Sequence, residues 1–238
     1  MVPKKFAVFD FDGTLVRWQL FMAIFYELAE EKLIDEKDYR QVRRLFDAWR
    51  DRTSEKAYDE YAQKSIEIFD KHVDKLSVSV FDKAVDRVFE KYKDQVYTYT
   101  RDLIDELKKK DYYLIAISGS QYQIVEKISK YYGFDEWTGT KYTQIGDKFG
   151  GYESFPAGNK GKALQKIIQA KELSLESSIA VGDTESDIAM LEMVETPIAF
   201  NPNRGLLEHA KANKWPVVVE RKSIVYQLAY SHGSYKLV

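Results

Sequence analysis

Five short apolar segments, separated by helical patterns, constrain the fold of this chain more than any other feature. Each segment is hydrophobic almost without interruption, which is typical of strands in a parallel sheet that is covered on both faces. Between them, apolar residues recur at three- and four-residue spacing, as in amphipathic helices. This alternation predicts an α/β fold with a doubly wound parallel sheet. The predicted strands span residues 6–9, 113–117, 178–181, 197–200 and 216–219.

Apolar stripes also predict core helices around residues 103–107, 124–131 and 164–168. Alternation in TKYTQ, followed by the turn IGDK and by FGGY, predicts a β-hairpin over residues 138–153. The last stretch, residues 220–238, is predicted to form a closing helix and a loose end.

A long insertion interrupts the strand–helix rhythm after the first predicted strand. It runs from residue 17 to residue 96, a plausible size for a small domain, and it contains neither Gly nor Pro. We therefore predict a helical cap domain at residues 17–96, inserted into a core domain formed by residues 1–16 and 97–238. The four predicted cap helices cover residues 18–28, 39–49, 58–69 and 80–92.

The composition excludes several classes of function. A net charge of -2 gives no strong attraction to nucleic acid or anionic membranes, so neither is expected as a partner. The absence of cysteine excludes disulfides, thiolate nucleophiles and Cys-based zinc sites, and the three scattered histidines form no metal-ligand spacing. The apolar stretch behind the basic start is too short for a signal peptide, and no run approaches transmembrane length. We expect a cytoplasmic protein, whose oligomeric state the sequence does not determine.

Two carboxylates follow the first predicted strand, in the segment FAVFDFDGTLV. Ligands bind at the carboxyl ends of strands in open α/β sheets, and Asp10 and Asp12 lie at such an end. Unpaired carboxylates near a sheet core are costly unless a cation or a proton compensates them. An ordinary Asp-Gly turn is the alternative. An EF-hand fits poorly because Gly13 stands at the fourth position of the loop and the later ligands are missing.

Another strand end adds to this acidic group. The third predicted strand runs into GDTESD, which places Asp183 at its carboxyl end and Asp187 in the first turn of the next helix. Acidic residues are favoured in first turns of helices in any case, so a capping role for Asp187 stays open. Carboxylates without His or Cys suit a hard cation, Mg²⁺ above all.

Anion-binding groups are predicted at the same edge. The second strand ends in SGS, where Ser118 offers a hydroxyl and Gly119 lets its backbone N–H approach a ligand closely. A serine N-cap is the alternative for Ser118. Lys160, in the segment GNKGK, stands at a helix start and can counter a phosphate charge, although this segment also suits a solvated loop and is no Walker A motif. Carboxylates, Mg²⁺, a hydroxyl and a lysine together suit phosphoryl transfer.

In order and type, these four segments resemble the motifs of the haloacid dehalogenase superfamily of phosphohydrolases. DFDGT resembles the first motif, SGS the second, NKG the third and GDTESD the fourth. The helical insertion is similar to the type 1 cap of that superfamily, and SGS with the hairpin resembles its phosphoserine phosphatase branch. The resemblance implies a Rossmann-like core and a phosphatase that acts on a small phosphorylated metabolite.

The resemblance also implies roles for individual residues. Asp10 would be the nucleophile that forms an aspartyl-phosphate, and Asp12 would be the general acid and base. The Mg²⁺ ligands would be Asp10, the backbone carbonyl of Asp12, and Asp183, with Asp187 a further ligand or a support. The transferring phosphoryl group would contact Ser118, the Gly119 N–H and Lys160.

Two departures from the phosphoserine phosphatase pattern concern the substrate. Gln19 stands where those enzymes carry a Glu that contacts the substrate ammonium, and Ser186 replaces a common Asn. Aromatic residues of the cap suit either an organic-cation pocket or plain helix packing; they are Trp18, Phe21, Phe25 and Trp49. The expected activity is Mg²⁺-dependent phosphomonoester hydrolysis. The alternatives are phosphoryl transfer to an alcohol and non-catalytic binding of a phosphorylated ligand.

Overall fold

A nine-stranded sheet organises residues 3–238, which are the residues that the computed structural model describes. The strands are β1 (Lys5–Phe9), β2 (Tyr113–Gln121), β3 (Glu136–Ile145), β4 (Lys148–Ser154), β5 (Ser174–Gly182), β6 (Thr196–Phe200), β7 (Val217–Arg221), β8 (Ile224–Ser231) and β9 (Ser234–Leu237). Their order in the sheet is β4-β3-β2-β1-β5-β6-β7-β8-β9.

The central strands, from β3 through β7 in the sheet order, are all parallel. β1 lies between β2 and β5, so the chain winds outward first on one side of β1 and then on the other. This reversal is the doubly wound arrangement that the sequence predicts, and it opens a crevice at the carboxyl ends of these strands. Each of the five predicted strands overlaps an observed strand, and β3 and β4 form the predicted antiparallel hairpin.

Each of the four cap helices and three core helices predicted from the sequence overlaps an observed helix, and the structure adds α-helices at residues 188–191 and 204–213, for which no span is predicted. No helix among residues 3–238 combines the length and the apolar character needed to cross a bilayer. The cap helices are α1 (Leu20–Glu30), α2 (Glu36–Arg50), α3 (Ala57–Val73) and α4 (Val78–Tyr92), and the core helices are α5 (Thr98–Lys109), α6 (Tyr122–Tyr132), α7 (Lys160–Lys171), α8 (Ile188–Leu191) and α9 (Arg204–Asn213).

Alternation along β1 shows how both faces of the sheet are buried. Ala7 and Phe9 belong to a core shared with α5, α6 and the cap helices. Phe6 and Val8 belong to a second core, shared with α7, α8 and α9. All four side chains are fully buried, which is why this strand is a continuous apolar run.

The cap leaves and rejoins the core at one place. Val16 and Val96 form an antiparallel bridge, the Arg17 N–H donates to the Gln95 carbonyl at 2.9 Å, and the Tyr97 N–H donates to the Leu15 carbonyl at 2.9 Å. The two connecting segments therefore lie side by side. This pairing supports the domain limits of 17 and 96 that we propose.

The β3–β4 hairpin also contacts the cap. The hydroxyls of Tyr142 and Tyr152 donate to the Asp70 carboxylate on α3, at 3.0 Å and 2.6 Å. The Val78 N–H at the start of α4 donates to the Asp147 carbonyl at 2.9 Å. The hairpin thus bonds two cap helices to the edge of the core.

The prediction of a closing helix in residues 220–238 is wrong. β8 and β9 lie there instead and extend the sheet antiparallel to β7. Two turns have residues with positive φ, Lys222 in the first and His232 and Gly233 in the second, which is the geometry of tight hairpins. The segment from Ile224 to Leu228 places apolar residues at a spacing that fits one face of a helix, but its β-branched and aromatic residues favour a strand.

Candidate active site

The candidate active site lies at the carboxyl ends of β1, β2 and β5, beneath the cap. A cavity of about 210 Å³ lies between the core and the cap. Of the residues that the sequence predicts for the site, most line this cavity, and Ser118 and Asp187 contact residues that do. The predicted residues in the cavity wall are Asp10, Asp12, Gly119, Lys160 and Asp183.

Asp10 follows the last residue of β1 and is only 3% exposed. Its Oδ1 accepts a bond from Lys160 Nζ at 2.6 Å. Burial raises the pKa of the Asp10 carboxyl to about 7; Lys160 opposes this shift, and the negative charges of Asp187 and Asp12 add to it. Lys160 therefore offsets part of the cost of an ionised carboxylate at this position.

Lys160 is the first residue of α7 and is also buried. Its Nζ lies 2.6 Å from Asp10 Oδ1 and 2.6 Å from Asp187 Oδ1. Burial alone would lower the pKa of the ammonium, but the two carboxylates outweigh burial and raise that pKa. Lys160 stays charged and ties the end of β1 to the turn after β5.

Asp12 is surrounded by hydrogen-bond donors. Its Oδ1 accepts from the Leu20 N–H at 2.6 Å, and its Oδ2 accepts from the Ser118 hydroxyl at 2.7 Å and the Ser120 hydroxyl at 2.9 Å. Burial raises the pKa of the Asp12 carboxyl, and the donors only partly oppose this. The bond from Leu20 connects Asp12 to the first residue of cap helix α1, so the position of the cap and the environment of Asp12 are linked.

Ser118 and Ser120 lie two residues apart on β2, so their side chains point to the same face of the strand. The Ser118 hydroxyl is fully buried against Asp12 and accepts the Ser120 N–H at 3.0 Å. Ser120 lines the cavity together with Gly119, although it is not among the residues predicted from the sequence. The sequence does contain a signal for Ser120, because the two serines of SGS are two residues apart and side chains at that spacing share one face of a strand.

Asp183 and Asp187 complete an acidic cluster. Carboxylate oxygens of Asp10, Asp183 and Asp187 lie within 4.8 Å of one another, a group that could hold a metal ion. Burial raises the pKa of Asp183 well above its usual range, with a further rise from the charges of Asp10 and Asp187. Asp187 Oδ2 accepts the backbone N–H groups of Asp183 (3.0 Å) and Thr184 (2.9 Å), so Asp187 holds the turn that carries Asp183.

Gly13 makes this arrangement possible. Its φ of +84° is in the left-handed region, and a Cβ at this position would overlap the Asp183 carboxylate. The Gly13 N–H donates to the Val16 carbonyl at 2.9 Å and closes the turn between β1 and the cap. The glycine of DFDGT is thus required both by the backbone and by the space that Asp183 occupies.

A comparison with known families agrees with this geometry. The family model described as "haloacid dehalogenase-like hydrolase" matches residues 7–192, which include every residue of the site described above. The chain belongs to the haloacid dehalogenase-like hydrolases. The match begins within β1, includes the cap and the core through α8, and ends before β6.

The chain spans about half the length of the first curated relatives that it matches. It is 29% identical over 127 residues to the Inhibition of morphological differentiation protein of Streptomyces azureus, spanning 52% of this chain and 46% of that one. It is 29% identical over 133 residues to a phosphoserine phosphatase of Wolinella succinogenes, spanning 55% of this chain and 62% of that one. A solved structure titled "Phospho-Aspartyl Intermediate Analogue of Phosphoserine phosphatase" superposes with a TM-score of 0.62 at 24% identity, covering 92% of this chain and 95% of that one. The chain is thus similar in sequence to a protein named phosphoserine phosphatase and shares the fold of a solved one.

The cavity has a second wall, formed by the cap and the hairpin. Gln19, at the entry to α1, donates its side-chain amide to the Tyr58 hydroxyl of α3. Burial raises the pKa of Tyr58 to about 12, with the charge of Asp183 adding to the rise, so this phenol is neutral at physiological pH. Ser186, the other departure noted in the sequence, also lines the cavity.

The four aromatic residues that suit either a cap pocket or helix packing separate into three groups. Phe21 lines the main cavity, whereas Phe25 is fully buried among the cap helices. Trp18 and Trp49 line a second cavity of about 190 Å³ beside the first. The walls of the two cavities share Gly13, Gln19 and Met22.

One further group of potential metal ligands lies in the cap. It consists of Asp35, Asp38 and His72. His72 Nε2 lies 2.9 Å from Asp38 Oδ2, and the Lys71 ammonium lies 2.7 Å from the same oxygen. Lys71 thus already compensates the charge of Asp38, and His72 has a hydrogen-bond partner, as is expected for an isolated histidine.

Proposed function

We propose that this chain is a Mg²⁺-dependent phosphomonoesterase that hydrolyses a small phosphorylated metabolite through an aspartyl-phosphate on Asp10. The observation that carries the proposal is the placement of the Asp10 and Asp12 carboxyls in one cavity wall, with Lys160 bonded to Asp10 at 2.6 Å. A protein that only binds a phosphorylated ligand has no need for both a nucleophile and a proton donor. The similarity to a phosphoserine phosphatase of Wolinella succinogenes supports the same class of reaction.

In the first step, an Asp10 carboxylate oxygen attacks phosphorus and the bond from phosphorus to the ester oxygen breaks. Lys160 favours the reactive form, because its positive charge lowers the pKa of Asp10 against the effect of burial. Lys160, the Gly119 N–H and Ser118 are the groups proposed to contact the phosphoryl oxygens, and the cavity-lining Ser120 joins them as a candidate.

Asp12 moves the proton in both steps. Its raised pKa favours the protonated acid, which donates its proton to the leaving ester oxygen as that bond breaks. The resulting Asp12 carboxylate then takes a proton from a water molecule that attacks phosphorus, and the Asp10–phosphorus bond breaks. Inorganic phosphate leaves, and both aspartates return to their starting states.

The acidic cluster fits Mg²⁺ by its chemistry. Its donors are carboxylate oxygens, the ligands that Mg²⁺ prefers. Burial raises the pKa values of Asp10 and Asp183, and the charges of neighbouring carboxylates add to both shifts although Lys160 opposes them. We propose Asp10, Asp183 and the backbone carbonyl of Asp12 as ligands, with Asp187 as a support. When bound, the ion supplies positive charge to the phosphoryl oxygens and so lowers the barrier to attack by a carboxylate. Cytoplasmic localisation stays a prediction from the sequence.

The test is release of inorganic phosphate from a panel of phosphate monoesters, with Mg²⁺ and with EDTA. Asp10→Asn is compared with Asp59→Asn, which makes the same charge change at an exposed position on α3. We expect release that requires Mg²⁺, is retained in Asp59→Asn and is lost in Asp10→Asn. Release that persists in Asp10→Asn would overturn the nucleophile, and phosphate appearing only on an added alcohol would identify a transferase.

A further inference from the structure

The wall of the main cavity that faces the catalytic residues carries no charged side chain among the residues that the structure describes. It is formed by α1, α3, the hairpin and the segment before α7. Aromatic and aliphatic side chains dominate it, and its polar members are neutral. The residues of this wall are Gln19, Phe21, Met22, Tyr58, Ala62, Ile66, Thr140, Tyr142, Tyr152, Phe155 and Ala157.

Two of the tyrosines in this wall have hydroxyls that are already bonded. Tyr142 and Tyr152 both donate to Asp70, whose carboxylate lies outside the cavity lining. The two rings stack on each other with centroids 4.8 Å apart, and Phe155 packs against Tyr152 at 5.4 Å. These residues therefore offer aromatic surface to a ligand, rather than a charge or a free hydroxyl.

The charges that line the cavity, among the described residues, all belong to the opposite wall and already have functions there. Lys160 is the cation in that lining, and it is held by Asp10 and Asp187 at 2.6 Å each. A substrate carboxylate would meet no opposite charge in the cap wall, and neither would a substrate ammonium. Burying an unpaired charge is costly, whereas burying apolar surface is favourable.

The second cavity, which shares Gln19 with the main one, is also lined mainly by uncharged side chains. Its lining is mainly aromatic, with Trp18, Phe46, Trp49 and Tyr61. Its one charged member among the described residues is Arg17, whose guanidinium lies 3.6 Å from the Glu220 carboxylate and over the ring of Tyr97. Because Arg17 already has these partners, the second cavity is an apolar space with one paired cation at its rim.

We infer that the substrate is the phosphate monoester of an uncharged alcohol with an apolar or aromatic body, and that Gln19 selects against a charged group at the junction of the two cavities. The inference rests on the proposed function and specifies its substrate class. The alcohol would lie against the Tyr142–Tyr152 stack and the α3 side chains. Gln19 and Tyr58, bonded to each other, would face a neutral polar group of that alcohol.

The first test compares kcat/KM for phenyl phosphate, phosphoserine, phosphoethanolamine and phosphocholine under identical Mg²⁺. We expect phenyl phosphate to exceed each of the other three by at least about tenfold, which corresponds to about 1.4 kcal/mol of discrimination. Phosphoserine or phosphoethanolamine at parity with phenyl phosphate would overturn the inference. Phosphocholine at parity would overturn it as well, because the aromatic wall would then be a cation–π site.

The second test places a carboxylate at the junction with little change of size. Gln19→Glu is expected to raise the ratio of kcat/KM for phosphoethanolamine over phenyl phosphate by about tenfold. Gln63→Glu makes the same change at an exposed position of α3 and is expected to leave that ratio unchanged. An unchanged ratio in Gln19→Glu would contradict the role given to Gln19.

A failure of catalysis can be told apart from a failure of the specificity inference. If no ester is hydrolysed by the folded, Mg²⁺-loaded chain, the proposed function is wrong, and binding of the same esters to Asp10→Asn is measured by calorimetry. Tighter binding of phenyl phosphate than of the three charged esters would then still support the uncharged cavity wall. Equal or weaker binding of phenyl phosphate would overturn it.

Discussion

Replacing Asp10 by asparagine is expected to change how the stability of the metal-free protein depends on pH. Burial raises the pKa of this carboxyl from 3.8 to about 7. A carboxyl whose pKa is higher in the folded than in the unfolded state binds protons preferentially in the folded state between those two values. Its contribution to stability is therefore complete below pH 3.8 and is lost as the pH rises through about 7.

The size of the effect follows from the two pKa values. Each pKa unit corresponds to about 1.4 kcal/mol, so the whole shift from 3.8 to about 7 is worth roughly 4 kcal/mol. Between about pH 5 and about pH 8, the free energy of unfolding should fall by about 2 to 3 kcal/mol as this contribution of Asp10 is lost. The asparagine in Asp10→Asn would keep an oxygen for Lys160 and does not titrate. The loss between these two pH values should therefore be smaller in Asp10→Asn by about the same 2 to 3 kcal/mol.

The assay is urea unfolding in EDTA at the two pH values, for the wild type, Asp10→Asn and the surface control Asp59→Asn. We expect the wild type and Asp59→Asn to lose stability in parallel and Asp10→Asn to lose less. Adding Mg²⁺ should stabilise the wild type more at the higher pH, where its carboxylates are ionised. Parallel pH profiles for Asp10→Asn and the wild type would refute the reasoning that burial dominates the Asp10 environment.

Three further changes test the remaining parts of the site. Asp12→Asn should lower kcat by about 10²- to 10⁴-fold in steady-state assays, because proton transfer is lost. Gly13→Ala should weaken Mg²⁺ binding by calorimetry and cost about 1–3 kcal/mol in urea unfolding, because φ is +84° and a Cβ would overlap Asp183. Tyr152→Phe should cost about 1 kcal/mol in urea unfolding, because the 2.6 Å bond to Asp70 joins the hairpin to the cap.

Each of these three expectations has its own contradicting result. Unchanged kcat in Asp12→Asn would assign the proton transfer to another group. Wild-type Mg²⁺ affinity in Gly13→Ala would show that the turn adapts to a side chain. The control for Tyr152→Phe is Tyr235→Phe, which removes a hydroxyl that donates to the Trp215 carbonyl at 2.9 Å within the core domain. An equal cost in both variants would show that the contact with the cap contributes no more than a hydrogen bond within the core.

Much of the core fold was predictable because its central strands are buried on both faces and its helices on one. Phe6 to Phe9 form a continuous buried apolar run for that reason, and so do Leu114 to Ile117 in β2. The site was predictable because parallel strands end at one edge, which brings Asp10 and Asp183 together although they are far apart in sequence. Lys160 is bonded to both Asp10 and Asp187, a pairing that the sequence does not make evident.

What sequence reasoning missed depends on strand length and on side-chain direction. The second predicted strand spans residues 113–117, but β2 continues to Gln121, so the whole of SGS lies within the strand. Because side chains alternate along a strand, Ser118 and Ser120 both point toward Asp12 and bond to it. This pairing becomes evident only once SGS is known to have an extended backbone. The tail was misread because Ile224 to Leu228 suits either a helix face or a strand, and pairing with β7 decides between them.

Covalent labelling of Asp10 tests the central claim most directly. The chain would be mixed with a phosphate-labelled monoester and Mg²⁺, quenched in acid within one turnover, digested and mapped by mass spectrometry. We expect one phosphoryl group on Asp10, chemically labile in base as an acyl phosphate is, and absent from Asp10→Asn. Turnover without any label on Asp10, or a label on another side chain that persists in Asp10→Asn, would contradict the account.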